Sequence, residues 1–198
     1  MKERPILMTP ANAQKCHEGT KTQTRRIISV PSWVSDDDML KLSIQRPATG
    51  IAYYEDGIAV KRLTCPYGVV GDRLWVRENG WERPARTAKM LRDGADTWER
   101  FYFDALLDAG ESEELKGYGF KRRPSIHMPR RACRTVLEIA EVCVERVQDI
   151  TQLDAMHEGC DGPDYISNFY ELWESINGVG AWGLNPWVWA LSFRRVGA

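Results

Sequence analysis

Residues 20–26, Thr20-Lys21-Thr22-Gln23-Thr24-Arg25-Arg26, carry the strongest local signal in this chain. The stretch combines three cationic and three hydroxyl side chains, contains no carboxylate, and follows directly on Gly19. Its residue types are open to three interpretations. A hydroxyl beside an amine can be a nucleophile with its base. The same side chains can bind a phosphate, and Thr with Arg is also typical of a solvated edge strand.

The sequence before this stretch predicts a strand and then a helix. Residues 5–8 are typical of a short strand, and Thr9-Pro10 is typical of a helix start, because Thr caps a helix and Pro fits its first turn. The helix is expected to end at Gly19. In a regular strand Lys21 and Thr24 would face opposite sides. They can therefore share one site only if a turn or bulge lies between them.

The rest of the chain predicts an α+β fold, with residues 1–198 forming a single domain. Strands come first, followed by two helices and a closing strand, which indicates a small mixed β-sheet or β-barrel with flanking helices. The predicted elements are a hairpin over 51–60, a strand over 73–78, a long strand over 134–147 with a bend or bulge, helices over 151–159 and 164–176, and a strand over 187–193.

Two segments fit this core poorly and are interpreted as insertions, at about 30–63 and about 80–120. The first contains the predicted hairpin, whose turn signal is Glu55-Asp56-Gly57. The second is rich in charge and has no clear period, so we expect a long irregular segment with one short helix around 98–107. Segments of this kind are often functional or mobile.

Composition and cysteine usage limit the functional class. The 198 residues have a net charge of -1, so the chain has no overall basic signature for nucleic acid. It has no apolar run near the ~18 residues of a membrane span and no signal-peptide core, so we expect no membrane association. Five cysteines without a CxxC pair indicate reduced thiols and a cytoplasmic protein. We expect no metal and no cofactor, because His157 and Cys160 have no second pair at zinc-site spacing.

A second candidate site is the basic segment 121–134, which holds six cations and no carboxylate. The cations bracket a proline-stiffened stretch and suit a nucleic-acid backbone, with His127 and Tyr118 available for stacking. The alternative is a solvated loop whose cations pair with the acidic stretch 93–114. The candidate nucleic-acid or substrate-binding residues of the whole chain are Arg25, Arg26, Lys121, Arg122, Arg123, His127, Arg130 and Arg131.

Several motifs give the chain a family resemblance. Residues 19–26 resemble the G-x-K-T-x-T-x-R signature of the ASCH superfamily, which has a PUA-like β-barrel. Residues 71–78 are similar to the family's G-D-x-L-x-V strand, 149–159 to the helix after its long strand, and 186–193 to its closing strand. The whole chain most resembles prophage-encoded ASCH proteins labelled as phage morphogenetic proteins, which have counterparts of segments 124–130 and 185–189.

The resemblance implies a PUA-like small mixed β-barrel with flanking helices, and an activity on RNA, DNA or a modified nucleoside. In the family's amidohydrolases, which cleave N4-acetylcytidine, a Lys, a Thr three residues later and a distant Glu carry the chemistry. Lys21, Thr24 and Glu158 occupy the matching positions. Other members act as ribonucleases or bind RNA, so the implied partner is RNA, single-stranded nucleic acid or a modified nucleoside. The implied location is a bacterial cytoplasm, with a phage or prophage origin.

In this interpretation Lys21 is the base that takes the proton of the Thr24 hydroxyl, and Glu158 protonates the leaving amine. Without the resemblance, Glu158 would be expected to be an ordinary exposed residue in the last turn of a helix. Two other functional classes compete with the hydrolase. One is a non-catalytic nucleic-acid-binding module in which Lys21 and Arg25 bind phosphates. The other is a phage assembly protein that uses the insertions as its partner surface.

Overall fold

The structure is a computed structural model that describes the backbone of residues 1–45, 51–55 and 58–197. These ranges contain ten strands and six α-helices, which confirms the predicted α+β class. In chain order they are β1 Glu3–Leu7, α1 Pro10–Glu18, β2 Gln23–Ile27, α2 Asp36–Gln45, β3 Ile51–Glu55, β4 Ile58–Leu63, β5 Arg73–Arg77, β6 Gly80–Glu82, α3 Ala88–Arg92, β7 Phe101–Phe103, α4 Ala109–Gly117, β8 Lys121–Arg123, β9 Val136–Arg146, α5 Gln152–His157, α6 Tyr165–Asn177 and β10 Trp187–Gly197.

The core of the fold is a five-stranded mixed sheet in the order β1-β5-β9-β10-β2. β1 and β5 are parallel, and the other neighbours are antiparallel. Buried apolar side chains from β1, β5, β9 and β10 form the main core, among them Ile6, Leu74, Leu137 and Leu191. Burial of this apolar surface is the main force that holds the sheet together.

The sheet does not close into a barrel, so the predicted β-barrel is corrected to an open sheet. β1 and β2 are its two edges, and no ladder joins them within the described ranges. The residue after each edge strand continues the pairing with the inner neighbour: Met8 N–H donates to Arg77 O, and Ile28 N–H donates to Trp187 O. Neither N–H group is therefore directed at the opposite edge. The edges still approach each other, because Arg26 Nη2 donates to the carbonyl of Leu7 at 2.6 Å.

The predicted bend in the long strand is confirmed as a bulge between β9 and β10. Their register shifts between Ser192 and Phe193. The buried positions of β9 change parity at the same place, from 137 and 139 to 142 and 144. A bulge of this kind turns the strand and increases its local twist, so it contributes to the curl of the sheet.

The two predicted C-terminal helices are confirmed as α5 and α6. Thr151 caps α5 and forms a capping box with Asp154, which satisfies N–H groups that the first turn leaves open. Phe169 and Trp173 are the buried residues of α6, and they pack with α5 in a second apolar cluster. None of the helices in the described ranges is long and apolar enough to cross a membrane.

Regular structure also occupies the two segments interpreted as insertions. Residues 30–63 contain α2 and the antiparallel hairpin β3–β4, whose turn at 56–57 lies outside the described residues. Residues 80–120 contain β6, β7, α3 and α4, and β8 completes a three-stranded sheet in the order β7-β6-β8. The helix predicted around 98–107 is therefore wrong. That stretch is β7 and a 3₁₀ turn, because three-residue strands are too short to show a period.

Candidate functional site

The side chains of Lys21, Thr24, Arg25, Arg26 and Glu158 line one cleft beside β2. The cleft has a volume of about 50 Å³, or roughly the space of two water molecules at ~30 Å³ each. Its remaining wall comes from α1, from the end of β2 and from one face of α6. The residues of that wall are Asn12, Ile27, Phe169, Leu172, Trp173, Ile176 and Asn177.

Lys21 and Thr24 share the cleft because only Thr24 belongs to a strand. β2 begins at Gln23, so the alternation of side chains along a strand does not apply to Lys21. Thr22, the residue after Lys21, is bonded to two other elements: Thr22 N–H donates to His157 O at 2.8 Å, and Thr22 O accepts from Phe193 N–H at 2.9 Å. The break in alternation that a shared site requires is therefore present.

Lys21 and Glu158 form a buried ion pair. The two side chains are 1% and 3% exposed, and Lys21 Nζ lies 2.5 Å from Glu158 Oε2. Lys21 Nζ also donates to the main-chain carbonyl of Glu158 at 2.7 Å. Among the described residues, both hydrogen bonds of this ammonium end on Glu158. The expectation that Glu158 is exposed is wrong, because α5 directs its last turn at the start of β2 and not at solvent.

Gly159 brings the end of α5 this close to Lys21. Its φ of 84° lies in the left-handed region, which glycine adopts without a Cβ penalty. A Cβ at this position would lie 3.2 Å from Lys21 Cβ and 3.1 Å from Lys15 Cδ. The glycine therefore satisfies both the turn that ends α5 and the close packing against Lys21.

Arg25 donates to the other carboxylate oxygen of Glu158, and each of its three guanidinium nitrogens has an acceptor. Its Nη1 donates to Glu158 Oε1 at 3.2 Å and to Gln23 Oε1 at 2.7 Å. Its Nε and Nη2 both lie 2.7 Å from Glu145 Oε1. The guanidinium also lies 5.8 Å from the ring centroid of Phe169. The two buried cations, on Lys21 and Arg25, are thus paired with Glu158 and Glu145, and Asp154 Oδ2 lies 3.7 Å from Arg25 Nη2. Buried charges are paired in this way because an unpaired one is costly.

Behind Arg25 lies an acidic groove of about 320 Å³. Its carboxylates are those of Glu141, Glu145, Asp149 and Asp154. Burial raises the pKa of Glu145, and the neighbouring Arg25 opposes that rise. Four carboxylates on one groove repel phosphate, so this side of Arg25 disfavours a nucleic-acid backbone.

The cations of the basic segment do not reach the Lys21 cleft, and most of them are already paired. Arg122 bonds Asp104 at 2.8 Å, which is a partner within the acidic stretch 93–114. Arg123 and Arg131 share Glu82 at 2.8 and 2.7 Å. This pairing supports the alternative of a charge-balanced surface for these residues.

The other candidates of the basic segment differ in their surroundings. Arg130 bonds Glu3 at 3.0 Å, whereas Lys121 and His127 are exposed. The ring of Tyr118, expected to be available for stacking, is engaged by Trp98 at 4.7 Å and by the Lys89 ammonium at 4.2 Å. The Tyr118 ring is therefore already engaged and does not provide the expected stacking surface.

Sequence reasoning missed three contributors to the site: Asn12, Glu145 and Trp173. Asn12 and Trp173 line the cleft, and Glu145 balances Arg25. Trp173 Nε1 is buried without a hydrogen-bond partner in the described part of the chain. Trp173 lies in the helix predicted over 164–176, but no local signal showed that it lines the cleft as well as packing in the second apolar cluster.

Comparison of the chain with protein-family models, with curated proteins and with solved structures gave no significant match. Within the described ranges, no group of three or more His, Cys, Asp or Glu residues has an arrangement that could hold a metal ion. The geometry of the Lys21 cleft is therefore the basis for the functional proposal.

Proposed function

We propose that this protein is an ASCH-type amidohydrolase that removes a short acyl group from an N4-acylated cytidine, with Lys21, Thr24 and Glu158 as its catalytic residues. In this proposal the open, curled sheet is a PUA-like core. The observation that carries it is the buried 2.5 Å pair of Lys21 with Glu158, on the cleft that Thr24 also lines.

The ion pair supplies a base and an acid from one proton transfer. When a proton moves from the Lys21 ammonium to the Glu158 carboxylate, the products are a neutral amine and a carboxylic acid. A neutral amine can accept the proton of a Thr hydroxyl, and a carboxylic acid can donate to a leaving nitrogen. The two side chains are almost fully buried, which strengthens electrostatic effects at the site relative to water.

The reaction then proceeds in two balanced steps. Thr24 Oγ1 adds to the acyl carbon while its proton goes to Lys21 Nζ. The bond from the acyl carbon to N4 breaks, N4 takes the proton of Glu158, and the free cytidine leaves an acyl ester on Thr24. After this step Lys21 is again an ammonium and Glu158 a carboxylate, so a second proton transfer from Lys21 to Glu158 restores the base and the acid. Water then adds to the ester carbon while its proton goes to Lys21 Nζ. The bond from the acyl carbon to Thr24 Oγ1 breaks, Oγ1 takes the proton of Glu158, and a carboxylic acid is released with the ion pair re-formed. Arg25, 3.2 Å from Glu158 Oε1, keeps the carboxyl group oriented between the steps.

The volume of the cleft favours a short acyl group. About 50 Å³ is far below the ~300 Å³ at which ligand pockets for whole small molecules begin. An acetyl group fits this space, whereas the base and sugar lie outside it. The apolar wall from α6, which includes Phe169, Leu172 and Trp173, suits the methyl end of the group.

Phosphate binding is the weaker interpretation of the same residues. Lys21 and Arg25 give their hydrogen bonds to protein groups, mainly the carboxylates of Glu158 and Glu145. The groove behind them is acidic. A phosphate would have to displace buried carboxylates, and leaving buried charges unpaired costs several kcal/mol. The proposed substrate is therefore a nucleoside and not a nucleic-acid backbone.

The test is hydrolysis of N4-acetylcytidine, followed by chromatographic separation of cytidine. We expect turnover by the wild type and a loss of at least about a hundredfold in Lys21→Met, Thr24→Val and Glu158→Gln, because general acid–base catalysis contributes ~10²–10⁴-fold. Thr20→Val is the matched control, since Thr20 is exposed and does not line the cleft; it should retain full activity.

A comparison of substrates with acyl groups of different size extends this test to the volume of the cleft. N4-acetylcytidine should be a better substrate than N4-benzoylcytidine, and Trp173→Ala should reduce the difference by enlarging the cleft. Full turnover by Thr24→Val would remove the nucleophile from the mechanism. Cleavage of RNA by the wild type without any deacylation would overturn the amidohydrolase proposal in favour of a nuclease.

A further inference from the structure

We propose that a second cavity, between the β6–β7–β8 sheet and residues 129–134, binds a small aromatic carboxylate. Its volume is about 390 Å³, which lies in the range of about 300–1,000 Å³ found for small-molecule sites. It shares no lining residue with the Lys21 cleft. This inference is therefore independent of the proposed hydrolase activity.

The floor of the cavity is aromatic. Phe101 and Phe103 on β7 both line it, with ring centroids 5.2 Å apart and planes at 61°. Pro129 and Ala132 complete the apolar part of the lining. Apolar walls with a few polar groups are typical of ligand sites, and paired phenylalanine rings favour a planar aromatic ligand by edge and face contacts.

Arg134 provides a fixed cationic donor at this floor. Its Nε and Nη2 bond the two carboxylate oxygens of Glu78 at 3.0 and 2.7 Å. Nη2 also bonds Gln14 Oε1 at 2.9 Å, and the guanidinium lies 4.4 Å from the Phe103 ring centroid. These contacts leave Nη1 without an acceptor among the described residues. A guanidinium held in place in this way loses little entropy when it binds a carboxylate.

The charge around the cavity suits a single negative charge. Four guanidiniums lie at or next to it, those of Arg100, Arg123, Arg131 and Arg134, against the three carboxylates of Glu78, Glu82 and Glu99. The local charge is therefore +1. A monocarboxylate balances it, whereas a phosphate dianion would exceed it and would meet the two glutamates of the lining.

The test is binding of 4-fluorobenzoate to the wild-type protein, observed by ¹⁹F NMR, with uncharged 4-fluorobenzamide as the matched probe. We expect the carboxylate to bind at least about tenfold more tightly, because a charge-assisted hydrogen bond contributes more than ~1.4 kcal/mol, which is tenfold in affinity. Equal binding of the two probes, or no binding of 4-fluorobenzoate at low millimolar concentration, would overturn the proposal.

Three variants locate the site. Arg134→Gln should weaken 4-fluorobenzoate at least about tenfold. Arg131→Gln should weaken it about threefold through the local potential, and it keeps the test decisive if Arg134→Gln does not fold, since Arg131 is exposed. Arg130→Gln removes the same charge outside the cavity lining and should have no effect. Equal weakening by Arg130→Gln and Arg131→Gln would overturn the assignment.

Cytidine 5′-monophosphate serves as the phosphate probe. Under the proposal it does not displace 4-fluorobenzoate from the cavity at equal concentration. Displacement by the nucleotide, lost in Arg131→Gln but retained in Arg130→Gln, would replace the aromatic carboxylate with a nucleotide as the ligand of this cavity.

Discussion

The buried pair of Lys21 and Glu158 gives the sharpest quantitative prediction about this protein. The perturbation is a double-mutant cycle with Lys21→Met, Glu158→Gln and the combined variant. Removal of one partner of a buried pair costs about 3–5 kcal/mol of unfolding free energy, because it leaves an uncompensated charge. Glu158 faces two cations, Lys21 at 2.5 Å and Arg25 at 3.2 Å. Glu158→Gln should therefore lower the free energy of unfolding more than Lys21→Met does.

The contacts of Lys21 and Glu158 determine how much unfolding free energy each variant should lose. Glu158→Gln leaves Lys21 buried without a counter-charge and should cost about 4 kcal/mol. Lys21→Met leaves Glu158 still paired with Arg25, so we expect about 2 kcal/mol, below the usual range for a broken buried pair. The combined variant removes both members of the pair. It should cost about 4 kcal/mol, which is less than the sum of the two single losses. The coupling energy is then about 2 kcal/mol, within the range for residues in direct contact.

The assay is equilibrium unfolding in urea at neutral pH, read by tryptophan fluorescence, with the unfolding free energy taken by linear extrapolation. Lys116 and Glu113 are a matched Lys–Glu control at 3.3 Å whose side chains are 64% and 73% exposed. Their coupling should stay below about 0.5 kcal/mol. A Lys21–Glu158 coupling as small as that of the control, or a larger loss in Lys21→Met than in Glu158→Gln, would refute the reasoning.

Three further predictions concern the rest of the fold. Hydrogen bonding from Arg4 lowers the pKa of Asp72 to about 2. The ionised Asp72 therefore stabilises the fold above about pH 4, and this stabilisation is lost as pH falls toward 2. In urea unfolding Asp72→Asn should cost about 1–2 kcal/mol at pH 7, and the difference from the wild type should shrink as pH falls through that window. Gly68→Ala should cost about 2 kcal/mol in thermal unfolding, because φ is 123° and the new Cβ would lie 2.6 Å from Arg4 Nη1. Burial raises the pKa of Cys16 to about 12, so iodoacetamide at pH 8 should leave this thiol unmodified in the native protein and modify it in urea, as read by mass spectrometry.

Local sequence signals located most of the main elements correctly. Thr9-Pro10 and Gly19 bound α1 as predicted, and the Thr9 side chain accepts from the Asn12 N–H. The capping box of Thr151 and Asp154 marks the start of α5. These signals can be read from sequence because each cap is satisfied by residues three positions apart.

The three-residue strands of the second insertion could not be read in this way. β6, β7 and β8 are stabilised by pairing with one another, with Trp81 opposite Tyr102 on one side and Arg122 on the other. A strand whose partners are about 20 to 40 positions away leaves no periodic trace in three residues. The predicted β-barrel is wrong for a related reason. Whether β1 and β2 meet depends on strands far apart in the chain, and no ladder joins these two edges in the described ranges.

The sequence by itself determined the main strands β1, β5, β9 and β10, the helices α1, α5 and α6, the break in β9 and the candidate residues Lys21, Thr24 and Glu158. Only the tertiary structure decided that these three line one cleft, that Glu158 is buried and not exposed, and that Arg25 is bound to Glu145 and not free for a phosphate. Caps and periods depend on neighbours within a turn. The charge balance around Lys21 depends on residues more than a hundred positions apart, which only the packing of α5, β2 and β9 brings together.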